Sequence, residues 1–403
     1  MKEIYLDNSA TTRVDPEVQQ LVLDMMDRNY GNPSSLHRKG LEAEKAVREA
    51  RERIAATLKT EPKNIIFTSG GTESNNNALF GVAYASRRMG KHIITTEIEH
   101  ASIASPAAFL EELGYEVTRL PVDRRGVVQI DTLKEALRPD TILVSVMAVN
   151  NEIGTVEPLE QIARIVHENN PKTVFHVDAV QAYGKIRLRP KKTGIDLLSV
   201  SSHKFHGPKG AGFLYCADGV RMHPIILGGG QQMDRRSGTD NVPGVCGMAL
   251  AAKKADERLE ENLAHVNHLH EMFCEGVHRI EGLSVNGWDE TADPEAGRPG
   301  SPEREAFLSR RVPHIVSVSA EGVRAEVLLH ALEEKGIYVS AGSACSSNHP
   351  SVSRTLRAIG VPKNLLDSTV RFSFCDWTTE EEIEETLAAL KEILPTLRMF
   401  VRK

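Results

Sequence analysis

The sequence predicts an α/β protein: a large domain on a mainly parallel sheet flanked by helices, followed by a smaller α/β domain. Three observations carry this. Helix-like and strand-like segments alternate through the first half of the 403 residues. Several strand candidates are nearly continuous apolar runs, which suits parallel strands covered on both faces. The character of the chain then changes after about Ala249.

Residues 41–59 place Ala43, Ala46, Val47, Ala50, Ile54 and Leu58 near helical spacing. The run Asn64–Thr68 reads as a strand, and Ser69-Gly70-Gly71-Thr72-Glu73-Ser74 as a turn opening a helix. Further strands are expected at His92–Thr95, Thr141–Val146, Val174–Val177, Leu197–Val200 and Gly212–Tyr215, joined by right-handed crossovers. Residues 250–280 read as one long charged helix bridging the domains. Residues 286–312 are rich in Gly, Pro and charge and predict a mobile surface loop. The second domain is expected to hold strands at Ile315–Val318, Ile337–Ser340 and Val370–Phe374, and helices at Glu326–Lys335 and Glu380–Leu394.

Composition narrows the function. Net charge is −6, from 49 basic and 55 acidic residues, which argues against nucleic-acid binding through a general basic surface. No segment reaches the roughly 18 apolar residues of a membrane span. Residues 1–7 lack the apolar core of a signal peptide, so a cytoplasmic protein is expected. The five cysteines are scattered, odd in number and without CxxC spacing, which predicts neither a disulfide framework nor a zinc site.

The chemistry concentrates at predicted strand ends, where open parallel sheets bind ligands. Lys204, in Ser201-Ser202-His203-Lys204, follows one strand and could form a Schiff base with an aldehyde cofactor; alone it reads as a surface lysine beside a turn. Asp178 ends another strand and could pair with a pyridine nitrogen, or simply cap a helix. His176, Asp178, His203 and His206 could also cluster, but their spacing matches no strong metal-ligand pattern. Gly70 and Gly71 would let a backbone approach a phosphate at a helix start. His100 could lie over a cofactor ring and shuttle protons.

The order of these pieces, together with Tyr5–Thr12, Gly31–Ser35, Val149–Gly154, Arg236–Thr239, Gly342–Cys345 and Arg371–Ser373, resembles the class V aminotransferase-like group of fold-type I pyridoxal-phosphate enzymes. Within that group it is similar to the cysteine desulfurases of the iron–sulfur and tRNA-thiolation branch. The resemblance implies a seven-stranded sheet in a large domain at 15–255, and a small domain from 1–14 and 256–403 with a catalytic loop at 341–353. It implies pyridoxal 5′-phosphate on Lys204, with Asp178 on the ring nitrogen, Gln181 on the ring hydroxyl and His100 stacked on the ring as acid or base. Gly71, Thr72, Ser201 and His203 would hold the phosphate. Thr239 would reach the phosphate of a neighbouring subunit, so a homodimer is expected. Asn151 and Arg371 would hold the carboxylate of L-cysteine.

Cys345 lies in a small, polar, turn-prone run that suggests an exposed thiol on a mobile loop. The resemblance makes it the nucleophile that takes sulfur as a persulfide and releases alanine, and the loop resembles the long-loop class. Three features depart from the family pattern. Residues 286–312 are longer than expected. Ser346–Pro350 replaces a Thr-Ser-containing run. The end at Lys403 omits the longer tail with which some members dock an iron–sulfur scaffold, which leaves a tRNA-thiolation acceptor equally compatible. The competing expectations are a selenocysteine lyase, an aminotransferase, or a sulfur carrier without catalysis.

Overall fold

The computed structural model describes residues 2–289, 293–298, 300–341 and 352–399. Its strands are β1 Ile4–Tyr5, β2 Ile65–Thr68, β3 His92–Thr96, β4 Glu116–Leu120, β5 Thr141–Met147, β6 Val174–Asp178, β7 Leu197–Ser201, β8 Gly212–Cys216, β9 Leu283–Asn286, β10 Ile315–Ala320, β11 Ile337–Tyr338, β12 Ser340–Ala341 and β13 Thr369–Ser373. Its helices are α1 Pro16–Asp27, α2 Arg38–Leu58, α3 Gly71–Ser86, α4 Ala101–Glu112, α5 Ile130–Ala136, α6 Leu159–Asn169, α7 Pro190–Thr193, α8 Val242–Glu257, α9 Leu259–His278, α10 Pro302–Leu308, α11 Ala325–Glu333, α12 Arg354–Ala358 and α13 Glu380–Met399.

Seven strands form the large sheet in the order β2-β8-β7-β6-β5-β3-β4. The pairs from β4 through β7 are parallel, and β8 runs antiparallel to both of its neighbours. The continuous apolar runs follow from this layering. Successive side chains leave a strand on opposite faces. Ile93, Leu143 and Leu197 join Leu79, Val82, Ile103 and Leu110 of α3 and α4 in one core. Their neighbours Ile94, Val144 and Leu198 join Val47, Ala50 and Ile54 of α2 in the other. Each fully buried Ile, Leu or Phe contributes about 1.5–3 kcal/mol, so neither face tolerates a polar alternation. The parallel strands also bring their carboxyl ends to one edge, where Met147, Asp178 and Ser201 terminate β5, β6 and β7.

The second sheet is antiparallel, in the order β12-β13-β10-β9. Val316, Val318, Val370 and Phe372 pack there with Phe273 of α9, Leu328 of α11 and Ile383 and Leu390 of α13. β1 pairs in parallel with β11, and Ile4 and Leu6 complete this core. The chain then crosses to the large domain, where the Thr12 N–H donates to the His203 carbonyl at 2.9 Å. An ion pair ties the two domains again: His206 Nε2 lies 2.9 Å from Asp376 Oδ1, and the imidazole stacks on Trp377 at 4.2 Å. Burial pulls the His206 pKa down, but Asp376 and Cys375 together more than offset it and raise the value to about 10.

Several sequence expectations need correction. The helix expected over 250–280 is two helices, α8 and α9, broken at Arg258. α8 contributes Val245, Met248 and Ala252 to the large-domain core, whereas α9 contributes Val266, Leu269 and Phe273 to the small one. The expected strand Ile337–Ser340 divides between two sheets, because Ile337 and Tyr338 pair with β1 while Ser340 and Ala341 pair with β13. Residues 286–312 are not a featureless loop. They hold α10 and a small core of Trp288, Ala296 and Phe307. The Arg125 guanidinium lies 4.9 Å from the Trp288 ring and pairs with Asp293 at 2.6 Å. A cation on an aromatic face with a carboxylate partner replaces the apolar area that this stretch lacks. The edge strand β4 was not foreseen, since Glu-Val-Thr-Arg-Leu keeps much of its surface in solvent.

Candidate active site

The carboxyl ends of the parallel strands open into a cleft of about 440 Å³. Gly71, Thr72, His100, Asn151, Asp178, Gln181, Ser201, His203, Lys204 and Arg371 all line it. Large-domain strands supply one wall, and β13 of the small domain supplies Arg371 from the other side. Thr239 is exposed and is not among the lining residues. Cys345 lies outside the described residues, as does most of the loop expected at 341–353. The four candidate metal ligands have separate partners: His176 bonds Ser145 and Ser199, Asp178 bonds Val180 and Asn75, His203 bonds Thr11, and His206 pairs with Asp376.

Lys204 sits in a short 3-10 turn, Ser202–Lys204, just beyond β7. Its Nζ donates to the Ser9 and Ala10 carbonyls, which aims the amine along the cleft floor. Asp178 ends β6 next door. Its Oδ1 accepts from the Val180 N–H at 3.0 Å and its Oδ2 from Asn75 Nδ2 at 2.7 Å, so the carboxylate is fixed in orientation. Gln181 is buried between Ser9, whose carbonyl accepts from Nε2 at 2.8 Å, and Lys185, whose Nζ donates to Oε1 at 2.8 Å.

The first turn of α3 faces the same space. Gly70 has φ +152°, a conformation that favours glycine, and a Cβ on Gly71 would lie 2.5 Å from Val180 Cγ2. The two glycines therefore bring an uncapped helix start, with its unpaired N–H groups, to the cleft wall. Glu73 in that turn pairs with Arg236 at 2.8 Å, which anchors the segment leading to Thr239.

The electrostatics favour anions. Lys204, Arg371 and Arg354 line the cleft, and Lys185 lies behind it. Burial, then the Lys204 and Arg371 charges, lowers the Lys185 pKa to about 7. Burial and the neighbouring lysines lower His203 to about 4, so its ring is neutral at pH 7. Burial, then Asp178, raises Glu99 to about 8. Burial also raises Glu152, whose carboxylate accepts from the Ser353 hydroxyl. Asn75, Ser102, Glu152 and Lys185 were not singled out from the sequence. Glu152 lies inside the Val149–Gly154 motif and Asn75 directly follows the Ser69–Ser74 turn, and those positions are the available signal.

A lysine and a carboxylate on adjacent strand ends, beside an open helix N-terminus, make the donor set that pyridoxal phosphate requires, and the glycine cradle leaves room for its phosphate. The chain belongs to the class-V aminotransferase family, whose model matches residues 4–297 and 300–386. It has the fold of the fold-type I pyridoxal-phosphate enzymes. Among its relatives, it is 43% identical over 398 residues to Cysteine desulfurase IscS of Dictyoglomus turgidum, covering 98% of this chain and 96% of that protein. Among solved structures, a NifS-like protein superposes with a TM-score of 0.88 at 39% identity, covering 98% of this chain and all of the other. SspA, solved in complex with cysteine, superposes with a TM-score of 0.78 at 30% identity over 94% of this chain and all of its own.

Proposed function

We propose that the chain is a pyridoxal-phosphate cysteine desulfurase that converts L-cysteine to L-alanine and leaves the sulfur as a persulfide on Cys345. The observation that carries the reading is the convergence of Lys204, Asp178, His100 and Arg371 on one cleft beside the α3 N-terminus. The desulfurase relatives and the cysteine-bound neighbour support the choice of substrate.

Bound pyridoxal phosphate supplies an electron sink for the charge left when a bond at the substrate α-carbon breaks. Lys204 would hold the cofactor through its aldehyde, and its amine would move a proton within the cleft. Asp178 would pair with the ring nitrogen and favour its protonated form. Gly71, Thr72, Ser201 and His203 would hold the phosphate, Gln181 would bond the ring hydroxyl, and His100 would lie against the ring. Arg371 and Asn151 bind the substrate carboxylate. The Cys345 thiolate attacks the substrate sulfur: the new S–S bond forms as the carbon–sulfur bond breaks, its electron pair stays on the three-carbon fragment, and a proton completes alanine. The exchange is redox-neutral overall, since one thiol and L-cysteine give one persulfide and alanine. The persulfide sulfur then passes to an acceptor protein of iron–sulfur assembly or tRNA thiolation.

Cys345→Ala, with cofactor bound, is expected to lower alanine release from L-cysteine plus a thiol reductant at least 100-fold, as loss of a nucleophile does. Wild-type protein that binds cofactor but forms no alanine would sink the reading.

The working unit is a homodimer. Thr239 stands outside its own cleft, and Leu23, Met26, Tyr30, Leu36 and Leu41 are each at least 60% exposed along one stretch of chain. So many large apolar groups in water suggest a covered surface. Light scattering should give twice the chain mass at micromolar concentration; a chain-sized particle there overturns the assignment.

A further inference from the structure

We infer that Ser102 and Asn75 are positioning residues that hold neutral His100 in the tautomer with its proton on Nε2, so that the ring acts in the cleft as a hydrogen-bond donor. The relay begins at Asp178. Its Oδ2 lies 2.7 Å from the Asn75 side-chain amide. A carboxylate oxygen accepts, so the amide end facing it is Nδ2; the flipped amide would set two oxygens against each other. The same Nδ2 lies 2.8 Å from Ser102 Oγ. Its two protons are thus assigned, one to Asp178 and one to Ser102, and the Ser102 oxygen is an acceptor for Asn75.

The Ser102 hydroxyl proton then remains for its other neighbour, His100 Nδ1, at 2.8 Å. The Ser102 backbone N–H also donates to Nδ1, at 3.1 Å. Two donors on one ring nitrogen require its lone pair, so the proton of the neutral ring belongs to Nε2. The local fold builds this relay. His100 is the N-cap of α4, with Ser102 in the first turn, and Asn75 projects from the first turns of α3. Asn75 is fully buried and Ser102 only 8% exposed, so water does not compete for these bonds. Among the described residues the Asn75 Oδ1 has no partner, the expected cost of turning both N–H groups toward the relay.

The consequence divides labour within the proposed reaction. A neutral His100 with hydrogen on Nε2 polarises or orients a group in the cleft and cannot take a proton there without changing tautomer. Accepting the substrate proton falls to Lys204. This use of the tautomer rests on the desulfurase reading, but the tautomer itself does not.

The test is nitrogen-15 NMR of holoenzyme labelled at the histidine rings, with His100 assigned by its absence in His100→Gln. The expected neutral ring shows an unprotonated Nδ1 and a protonated Nε2. Ser102→Ala should move signal toward the other tautomer and lower kcat about tenfold with KM within twofold, the size of one general-acid-type contribution partly lost. Ser102→Thr, which keeps the hydroxyl, should recover both readings. A protonated Nδ1 in the wild type overturns the inference, and so does a tautomer unchanged in Ser102→Ala. Failure of the wild type to form alanine would remove the desulfurase reading while leaving the NMR result to stand.

Discussion

Lys204→Ala is expected to reduce alanine formation by roughly 10⁴-fold or more, as loss of a residue that both attaches and reacts does. The variant should bind cofactor without the visible absorption of a protonated Schiff base. Two proposed roles would vanish together, because the same Nζ is assigned both to hold the aldehyde and to move the proton. Folding should survive. Lys204 is only half-buried, and what it leaves behind are the Ser9 and Ala10 carbonyls at a cleft wall that water reaches. Lys204→Arg separates charge from nucleophilicity: the guanidinium restores a cation near those carbonyls but cannot form the Schiff base, so it should be as inactive as alanine. A small primary amine such as methylamine should restore part of the activity to Lys204→Ala and none to Lys204→Arg, whose side chain fills the space. Unchanged turnover in Lys204→Ala would remove Lys204 from the reaction.

The same lysine shows what a sequence can and cannot reveal. A buried strand running into polar residues and then glycine is legible, because burial on both faces forces an unbroken apolar run and the ligand edge must interrupt it. β5, β6 and β7 were therefore found with the residues at their ends, Asp178 and Lys204 among them. The two-residue strands β1, β11 and β12 carry no such signal. Each exists only because a distant segment pairs with it, and Val339 between the last two lets the chain pass from one sheet to the other. The core of Trp288, Ala296 and Phe307 escaped for a related reason: Arg125, more than 160 residues earlier, supplies the cation that holds it together.

In the cleft, motif residues were legible and their couplings were not. The Glu99-His100 pair is visible in the sequence, but that Glu99 is enclosed beside Asp178 and holds its proton to about pH 8 depends on β5 closing over it. The relay from Asp178 to His100 depends on the first turns of α3 and α4 facing each other, which no spacing along the chain encodes.

Arg371 carries the second large expected effect, and its geometry predicts how the loss divides between binding and turnover. The residue lies in β13 and is only 7% exposed. Its Nη1 donates to the Asn151 carbonyl at 2.8 Å, and its Nη2 pairs with Asp7 Oδ1 at 3.0 Å. Its Nε is buried and has no partner among the described residues. An unpaired buried N–H is costly, so the guanidinium is held by two bonds with a third donor unmet, and an incoming carboxylate supplies the missing acceptor. Arg371→Lys keeps the charge but replaces a planar fork by a point charge that cannot serve Asn151, Asp7 and substrate together. The expected result is a fall in kcat/KM for L-cysteine of about 100-fold, near the 2–5 kcal/mol cost of truncating a desolvated charge pair, and mostly in KM. Cysteamine, which lacks the carboxylate, isolates the contribution. The wild-type preference for L-cysteine over cysteamine should shrink by the same factor in Arg371→Lys, with cysteamine turnover nearly unchanged. If both substrates lose equally, Arg371 acts through its Asp7 pair within the small domain and its bond to the Asn151 carbonyl of the large one, and not by holding the substrate. The two outcomes assign one side chain to recognition or to architecture, because only the first depends on a group that the substrate can be made to lack.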